Sequence, residues 1–329
     1  MDSRELRERF SSLSVLVCGD MCLDKNYIGG YSGYSRELEH LPIFRADIEN
    51  CSPGGGGNLS VCFSRLGVKT IAAGLWGGEE DFNRYILESE FHRKSVDTSG
   101  MVEGSRTPTF GKVYLHNGAH IYRLDLTSET IPDWAMDQLA DRVKGILPSV
   151  SFVACADYEE ANEYGVCSEK IVETIVRCQL PKFATSRKRI ERFKGFNRIL
   201  MNTTELKEQS RFGKSAELSI LTADFMTRLK VDEMVVTMGG KGATAFSPNR
   251  KPVFVRSIEL TENIDPCGCG DVFYATYSSS IMAGYDTETS LKLANAAARV
   301  VARKRFGTGQ ATPEEIAEEY RVLYPGTGK

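Results

Sequence analysis

An α/β fold, a doubly wound open sheet with a smaller β-sheet standing off it, is what this 329-residue sequence predicts. Three observations carry that expectation. Short apolar runs recur and end in polar or glycine tips, helical stretches separate them, and two segments break the alternation with a strand-like rhythm of their own. Residues 14–18 (Ser-Val-Leu-Val-Cys) open the series and lead into Gly19-Asp20. The same grammar returns at 152–157, 198–202 and 233–240, with a further strand at 243–246. Runs this short and uniformly apolar suit strands buried on both faces. Residues 58–67, 136–147, 168–178, 216–229, 272–283 and 290–306 have helical character. In an open sheet of this kind ligands bind outside the carboxyl ends of the strands, where the polar tips collect.

Segments 25–48 and 109–126 do not fit the βα rhythm. The second alternates through Phe110, Lys112, Val113, Tyr114 and Leu115, turns at Asn117-Gly118, and resumes at Ile121, Tyr122 and Leu124. Asn-Gly between alternating runs is a hairpin signal. Both segments are expected to form a lid over the ligand, inserted in a single domain spanning 1–329, since no repeat, low-complexity tract or long linker divides the chain.

Composition excludes several classes. With 41% hydrophobic and 26% charged residues the chain is ordinary globular material, and a net charge of −3 gives no basic excess for nucleic acid or an anionic membrane. Nine cysteines at irregular spacing, without a CxxC pair, read as reduced thiols of a cytoplasmic protein and not as a zinc site. The N-terminal ten residues form a charged helical pattern with no leader character. No apolar window approaches the roughly 20 residues that cross a bilayer.

The segment Asp265-Pro266-Cys267-Gly268-Cys269-Gly270-Asp271 joins a small-residue turn, a helix start and a carboxylate. Backbone N–H groups of Gly268, Cys269 and Gly270 at a helix N-terminus attract anionic oxygens, and Asp271 beside them can accept a hydroxyl proton. The alternative is a tight turn with Asp as a capping residue. Upstream, Gly54-Gly55-Gly56-Gly57-Asn58 precedes a helix; four glycines cost much conformational entropy, and they let a ligand approach the backbone, with Asn58 capping the helix or bonding a hydroxyl. Asp20 and Asp24 follow the first strand, where carboxylates suit paired hydroxyls of a sugar or serve as turn residues. Asn202-Thr203-Thr204-Glu205 reads as a capping box, as support for the waters of a magnesium ion, or as both. Thr237-Met238-Gly239-Gly240-Lys241-Gly242 joins two strands and is either a β-turn or a place for a nucleotide to lie on backbone.

These motifs stand in the order found in the ribokinase-like (phosphofructokinase-B type) carbohydrate kinases, and the chain resembles that family over nearly its whole length. It is most similar to the branch with the heptose-7-phosphate kinase domain, through Tyr122-Arg123-Leu124-Asp125, Asp157-Tyr158, Leu293-Ala294-Asn295-x-Ala297-Ala298 and the tail Gly307-Thr308-Gly309-x-Ala311-Thr312-Pro313-Glu314-Glu315. The resemblance implies a three-layer αβα sandwich with a β-lid, phosphoryl transfer from ATP with Mg²⁺ to a sugar or sugar phosphate, and a homodimer formed through the lid. It assigns Asp271 as base and Gly268, Cys269 and Gly270 as anion hole. Asp24, Gly55, Gly56, Gly57, Asn58 and Arg123 would hold the sugar, beside Asp20. Asn202, Glu205, Thr237, Gly239, Gly242 and Asn295 would flank the nucleotide, with Glu205 reaching the metal through water. Cys269 stands where the family carries alanine, and Pro266-Cys267 replaces a hydroxyl pair. Ala184-Thr185-Ser186-Arg187 replaces the branch's Asp-Pro-Lys, which makes Arg187 the substrate-side cation. The chain ends soon after this region, so no fused nucleotidyltransferase is expected. A kinase-like scaffold without activity, or a kinase of a nucleoside or other small alcohol, would carry much of the same pattern.

Overall fold

The first strand of the chain sits at the centre of its main sheet. In the computed structural model, which describes residues 1–104, 106–127, 130–158, 165–213, 215–261, 264–304 and 307–326, helix α1 (Ser3–Ser11) leads into β1 (Ser14–Gly19). Two long strands, β2 (Met21–Tyr34) and β3 (Pro42–Gly55), follow, then α2 (Gly56–Arg65), β4 (Lys69–Trp76), α3 (Phe82–Arg93) and β5 (Val96–Glu103). The hairpin β6 (Thr109–Leu115) and β7 (His120–Leu126) precedes α4 (Asp133–Ile146), β8 (Phe152–Asp157), α5 (Glu169–Val176), β9 (Lys182–Ser186), β10 (Arg198–Asn202) and α6 (Thr203–Glu208). The C-terminal part carries α7 (Leu218–Leu229), β11 (Glu233–Thr237), β12 (Gly242–Phe246), β13 (Val253–Arg256), α8 (Cys269–Met282), α9 (Thr287–Ala302) and α10 (Pro313–Leu323).

The main sheet has the order β13-β12-β11-β10-β9-β8-β1-β4-β5. From β11 to β5 every pairing is parallel; β12 and β13 turn back antiparallel at one edge, which a purely parallel reading of the apolar runs did not include. Successive residues of β1 feed opposite cores. Val15 and Val17 pack with α1, α2, α8, α9 and α10, whereas Leu16 and Cys18 pack with α4, α5 and α7. This two-sided burial is why the strands read as continuous apolar runs. After β1 the chain builds outward through β4 and β5, then returns to β8 on the other side. The crevice outside the carboxyl ends of β1 and β8 is therefore the switch point at which such sheets bind ligands.

The second sheet has the order β3-β2-β6-β7 and contains the expected lid segments. The Asn117-Gly118 turn forms as expected: Gly118 has φ +91°, and Asn117 Oδ1 accepts from Ala119 N at 2.9 Å. Strands β4, β5, β9 and β13 and helices α3 and α10 lay outside the sequence expectation. Glycine in β4 and polar residues at both ends of β9 blurred their periodicity.

Candidate active site

A cleft of about 780 Å³ opens between the carboxyl edge of the main sheet and the lid. Asp271 lies in it, on the first turn of α8, behind Gly268 at φ +80°. Asp271 Oδ2 accepts from Asn58 Nδ2 at 2.6 Å, and Oδ1 accepts from the Tyr158 hydroxyl at 2.6 Å. Burial pushes the Asp271 carboxyl above the usual carboxylate range, opposed by the Tyr158 and Asn58 hydrogen bonds and by Arg187. The result is a carboxylate held in place and more basic than usual, the property required of a proton acceptor.

Beside it, a Cβ on Gly270 would meet nothing within 4 Å, so space for a ligand lies against that backbone. The N–H of Cys269 turns back to Pro266 O at 3.2 Å, so this turn, and not the cleft, uses that donor; Gly268 and Gly270 carry the anion-binding expectation. The Cys269 thiol is pushed by burial up to about 12 and the Cys267 thiol up to about 11, so both are neutral at ordinary pH. A Cβ on Gly268 would lie 3.1 Å from Gly309 N and O, which places the C-terminal tail directly against the turn.

The lid presents charge to the cleft. Cross-strand register puts Asp24 beside Phe110 and Phe110 beside Asp125, with Lys112 beside Arg123. Buried Asp24 accepts from Lys112 Nζ at 3.1 Å. Burial works to lower the Lys112 pKa, but Asp24 and Cys267 outweigh it and the ammonium is raised. Arg123 donates to Asp125 at 2.7 Å and lies over the Phe110 ring. Arg187, at the tip of β9, stacks over the Tyr158 ring at 5.2 Å.

The pattern of the pfkB family of carbohydrate kinases matches residues 31–315. The chain belongs to that family. The bifunctional protein HldE of Gluconobacter oxydans is 26% identical over 97% of this chain and 66% of its own length; that of Yersinia enterocolitica is 26% identical over 95% and 64%. The chain thus spans about two thirds of these relatives. Phosphofructokinase-2 from Escherichia coli, solved in complex with potassium, shares the fold at a TM-score of 0.77 and 15% identity, covering 94% of this chain and 99% of its own. Ribokinase from Arabidopsis thaliana, solved with ribose and ATP, gives 0.73 and 16%, with the same coverage. The fold is ribokinase-like, and residues 31–315 make up a carbohydrate-kinase domain of the pfkB family.

Several of the expected site residues make contacts within the protein itself. Asp20 borders the cleft, but its two oxygens accept from the backbone N–H groups of Tyr158 and Val166, both at 2.8 Å, so it ties those two residues to the tip of β1. Gly56 and Gly57 are buried in α2, against Gly19 and Phe91, and of the expected glycine loop Gly55 lines the cleft. Asn58 is fully buried and serves Asp271, with Oδ1 accepting from Gln310 at 3.3 Å. Gly242 packs its backbone against Val255 O in the β12–β13 pairing. Asn295 donates to Val255 O and Tyr324 Oη inside the α9 core, outside the cleft lining.

Asn202, Glu205, Thr237 and Gly239 line the same cleft as Asp271. The capping box is complete: Asn202 Oδ1 accepts from Thr204 N and Glu205 N, and Glu205 Oε2 from Asn202 N, each at 2.9 Å. Burial raises the Glu205 pKa, against the pull of the Asn202 N–H and Arg187. Sequence reasoning gave no role to Lys112, Tyr158 or Gln310. The alternation of β6 placed Lys112 on the Phe110 face and could have found it; the other two depend on contacts between distant segments.

Proposed function

We propose that this kinase uses ATP to phosphorylate a hydroxyl of a sugar or sugar phosphate, with Asp271 as the general base. The observation that carries this reading is the Asp271 carboxylate, raised in pKa and fixed through both oxygens, on the first turn of a helix whose Gly270 faces open space. Asp271 accepts the proton of the sugar hydroxyl as that oxygen attacks. The N–H groups of Gly268 and Gly270, at the positive end of the α8 dipole, receive the charge that develops on the transferring group. Asp24 and Arg123 orient the acceptor from the lid, and Arg187, from the main-sheet side, offers a forked donor to a phosphate on it.

Asn202, Thr237 and Gly239 would flank the nucleotide, and Gly239 fits: it has φ +59° and open space where a side chain would be. Among the described residues no group of three or more His, Cys, Asp or Glu could hold a metal ion by itself. Glu205, in the cleft lining, would hold one of the waters that Mg²⁺ keeps, with phosphates supplying the ion's other ligands. Bound there, the ion would neutralise phosphate charge. We further propose one cytoplasmic kinase domain, paired with a second copy through its lid; among the described residues no helix is long and apolar enough to cross a membrane.

ADP release by purified protein with Mg²⁺, across sugars, sugar phosphates and nucleosides, tests the reading. One acceptor class should turn over, and Asp271→Asn should lose about 10²- to 10⁴-fold in kcat with ATP binding retained by calorimetry. Turnover near the parent level in Asp271→Asn would remove Asp271 from its role.

A further inference from the structure

Proton transfer to Asp271 leaves Tyr158 without a part, although Tyr158 joins three pieces of the site. It follows β8 at the switch point, and its backbone N–H is anchored on Asp20 Oδ2 at 2.8 Å. Its ring lies under the Arg187 guanidinium, 5.2 Å from it, and its hydroxyl donates to Asp271 Oδ1 at 2.6 Å. We propose that Tyr158 is a positioning residue for phosphoryl transfer, whose hydroxyl fixes the rotation of the Asp271 carboxylate and keeps it ionised. The proposal rests on the reading of Asp271 as base.

Two donors arrive from opposite sides, Tyr158 on Oδ1 and Asn58 on Oδ2. A carboxylate accepts about four hydrogen bonds, so capacity remains on each oxygen for an incoming hydroxyl. The charged and titratable surroundings give Tyr158 weight. Arg187 from the β9 tip favours the ionised form, whereas Asp24 from β2 opposes it, as does burial. Glu205 of α6, Cys62 of α2, Cys22 of β2, and Cys267 and Cys269 at the start of α8 also face Asp271. Lys112 is engaged with Asp24. Burial and the Asp271 charge hold the Tyr158 hydroxyl well above its ordinary value, so it remains a protonated donor.

Tyr158→Phe keeps the ring under Arg187 and deletes the donor. Losing a bond to the ionised form raises the Asp271 pKa, so activity, which falls as pH drops through that pKa, is lost at higher pH. The acidic limb of kcat/KM should move up by about one pH unit and kcat should fall about tenfold, with KM for ATP unchanged. A purely structural role would leave the limb in place, and an unmoved limb in folded Tyr158→Phe overturns the proposal. Should that variant fail to fold, difluorotyrosine at 158, a stronger donor, should move the limb to lower pH; an unmoved limb there overturns the proposal as well. In an Asp271→Asn background, Tyr158→Phe should cost nothing further, and a full tenfold loss there contradicts the proposal. High activity of Asp271→Asn alone would instead defeat the base assignment, so the two failures are told apart.

Discussion

The two sheets of this kinase are built on opposite rules. The main sheet buries apolar side chains on both faces, Val15 and Val17 on one and Leu16 and Cys18 on the other. The lid turns Asp24, Lys112, Arg123 and Asp125 toward the cleft and leaves Tyr122, Leu124 and Leu126 exposed on the far side. Tyr31, Tyr34 and Leu38, at the outer end of the lid, are exposed too. A sheet that faces a cavity with charge and solvent with aromatic and aliphatic groups does not derive its order from its own core. The main sheet thus carries the apolar core of the fold, and the lid lines the cleft with charge while its outer face leaves apolar side chains exposed.

This contrast is tested hardest where a backbone position of the main sheet is altered. Gly242 has φ +111°, and a Cβ there would lie 2.1 Å from Val255 O in the adjacent strand. Gly242→Ala should cost about 2–4 kcal/mol of stability, through left-handed strain and a displaced edge strand. Because Gly242 lies outside the cleft lining, kcat of the folded fraction should stay near parental. A denaturant midpoint unchanged in this variant would show that the edge yields, and a selective loss of ATP affinity would restore Gly242 to the nucleotide site.

An alteration on the inner lid face should act the other way. Asp24→Asn removes the charge that pairs with Lys112, 3.1 Å away and largely buried, and leaves that ammonium with less compensation. The expected outcome is a roughly tenfold rise in KM for the sugar, about 1.4 kcal/mol, with KM for ATP within twofold. Steady-state kinetics with each substrate varied in turn checks this. Equal weakening toward both substrates would mean that the lid serves the nucleotide as well.

The same division explains what the sequence could disclose. Residues 152–157 and 198–202 were readable as strands because burial on two faces leaves an unbroken apolar run, and the Asn117-Gly118 hairpin because its turn chemistry is local. The seven-residue stretch from Asp265 to Asp271 was likewise readable, since the helix start and its carboxylate are contiguous. The contact between Asn58 and Asp271 was not readable: the two lie 213 positions apart, and no local pattern distinguishes a side chain aimed at a hydroxyl from one aimed at a carboxylate. Tyr158 went without a role for the same reason. Asp20, Gly242 and Asn295 lie within motifs that carry the family resemblance, yet each satisfies a backbone group or a close packing contact. A motif marks where the chain is constrained, and geometry alone says whether the constraint belongs to the ligand or to the fold.

The outer lid face offers the smallest expected effect on folding. Leu124 is 53% exposed and pairs across the hairpin with Gly111, so its side chain has little of its own protein to pack against. Leu124→Ser should change the stability of the isolated chain by less than about 0.5 kcal/mol, whereas the same polar replacement at Val17, fully buried, should cost several times more. If the outer face meets a second copy, Leu124→Ser removes apolar area from the contact twice, once per subunit of a two-fold pair. Sedimentation across a concentration series should then show the dimer dissociating at higher protein concentration than in the parent. Turnover per subunit should hold where both are dimeric. A parent chain that sediments as a monomer throughout would leave the exposed lid residues without a partner of this kind, and would confine the lid's role to the ligand side.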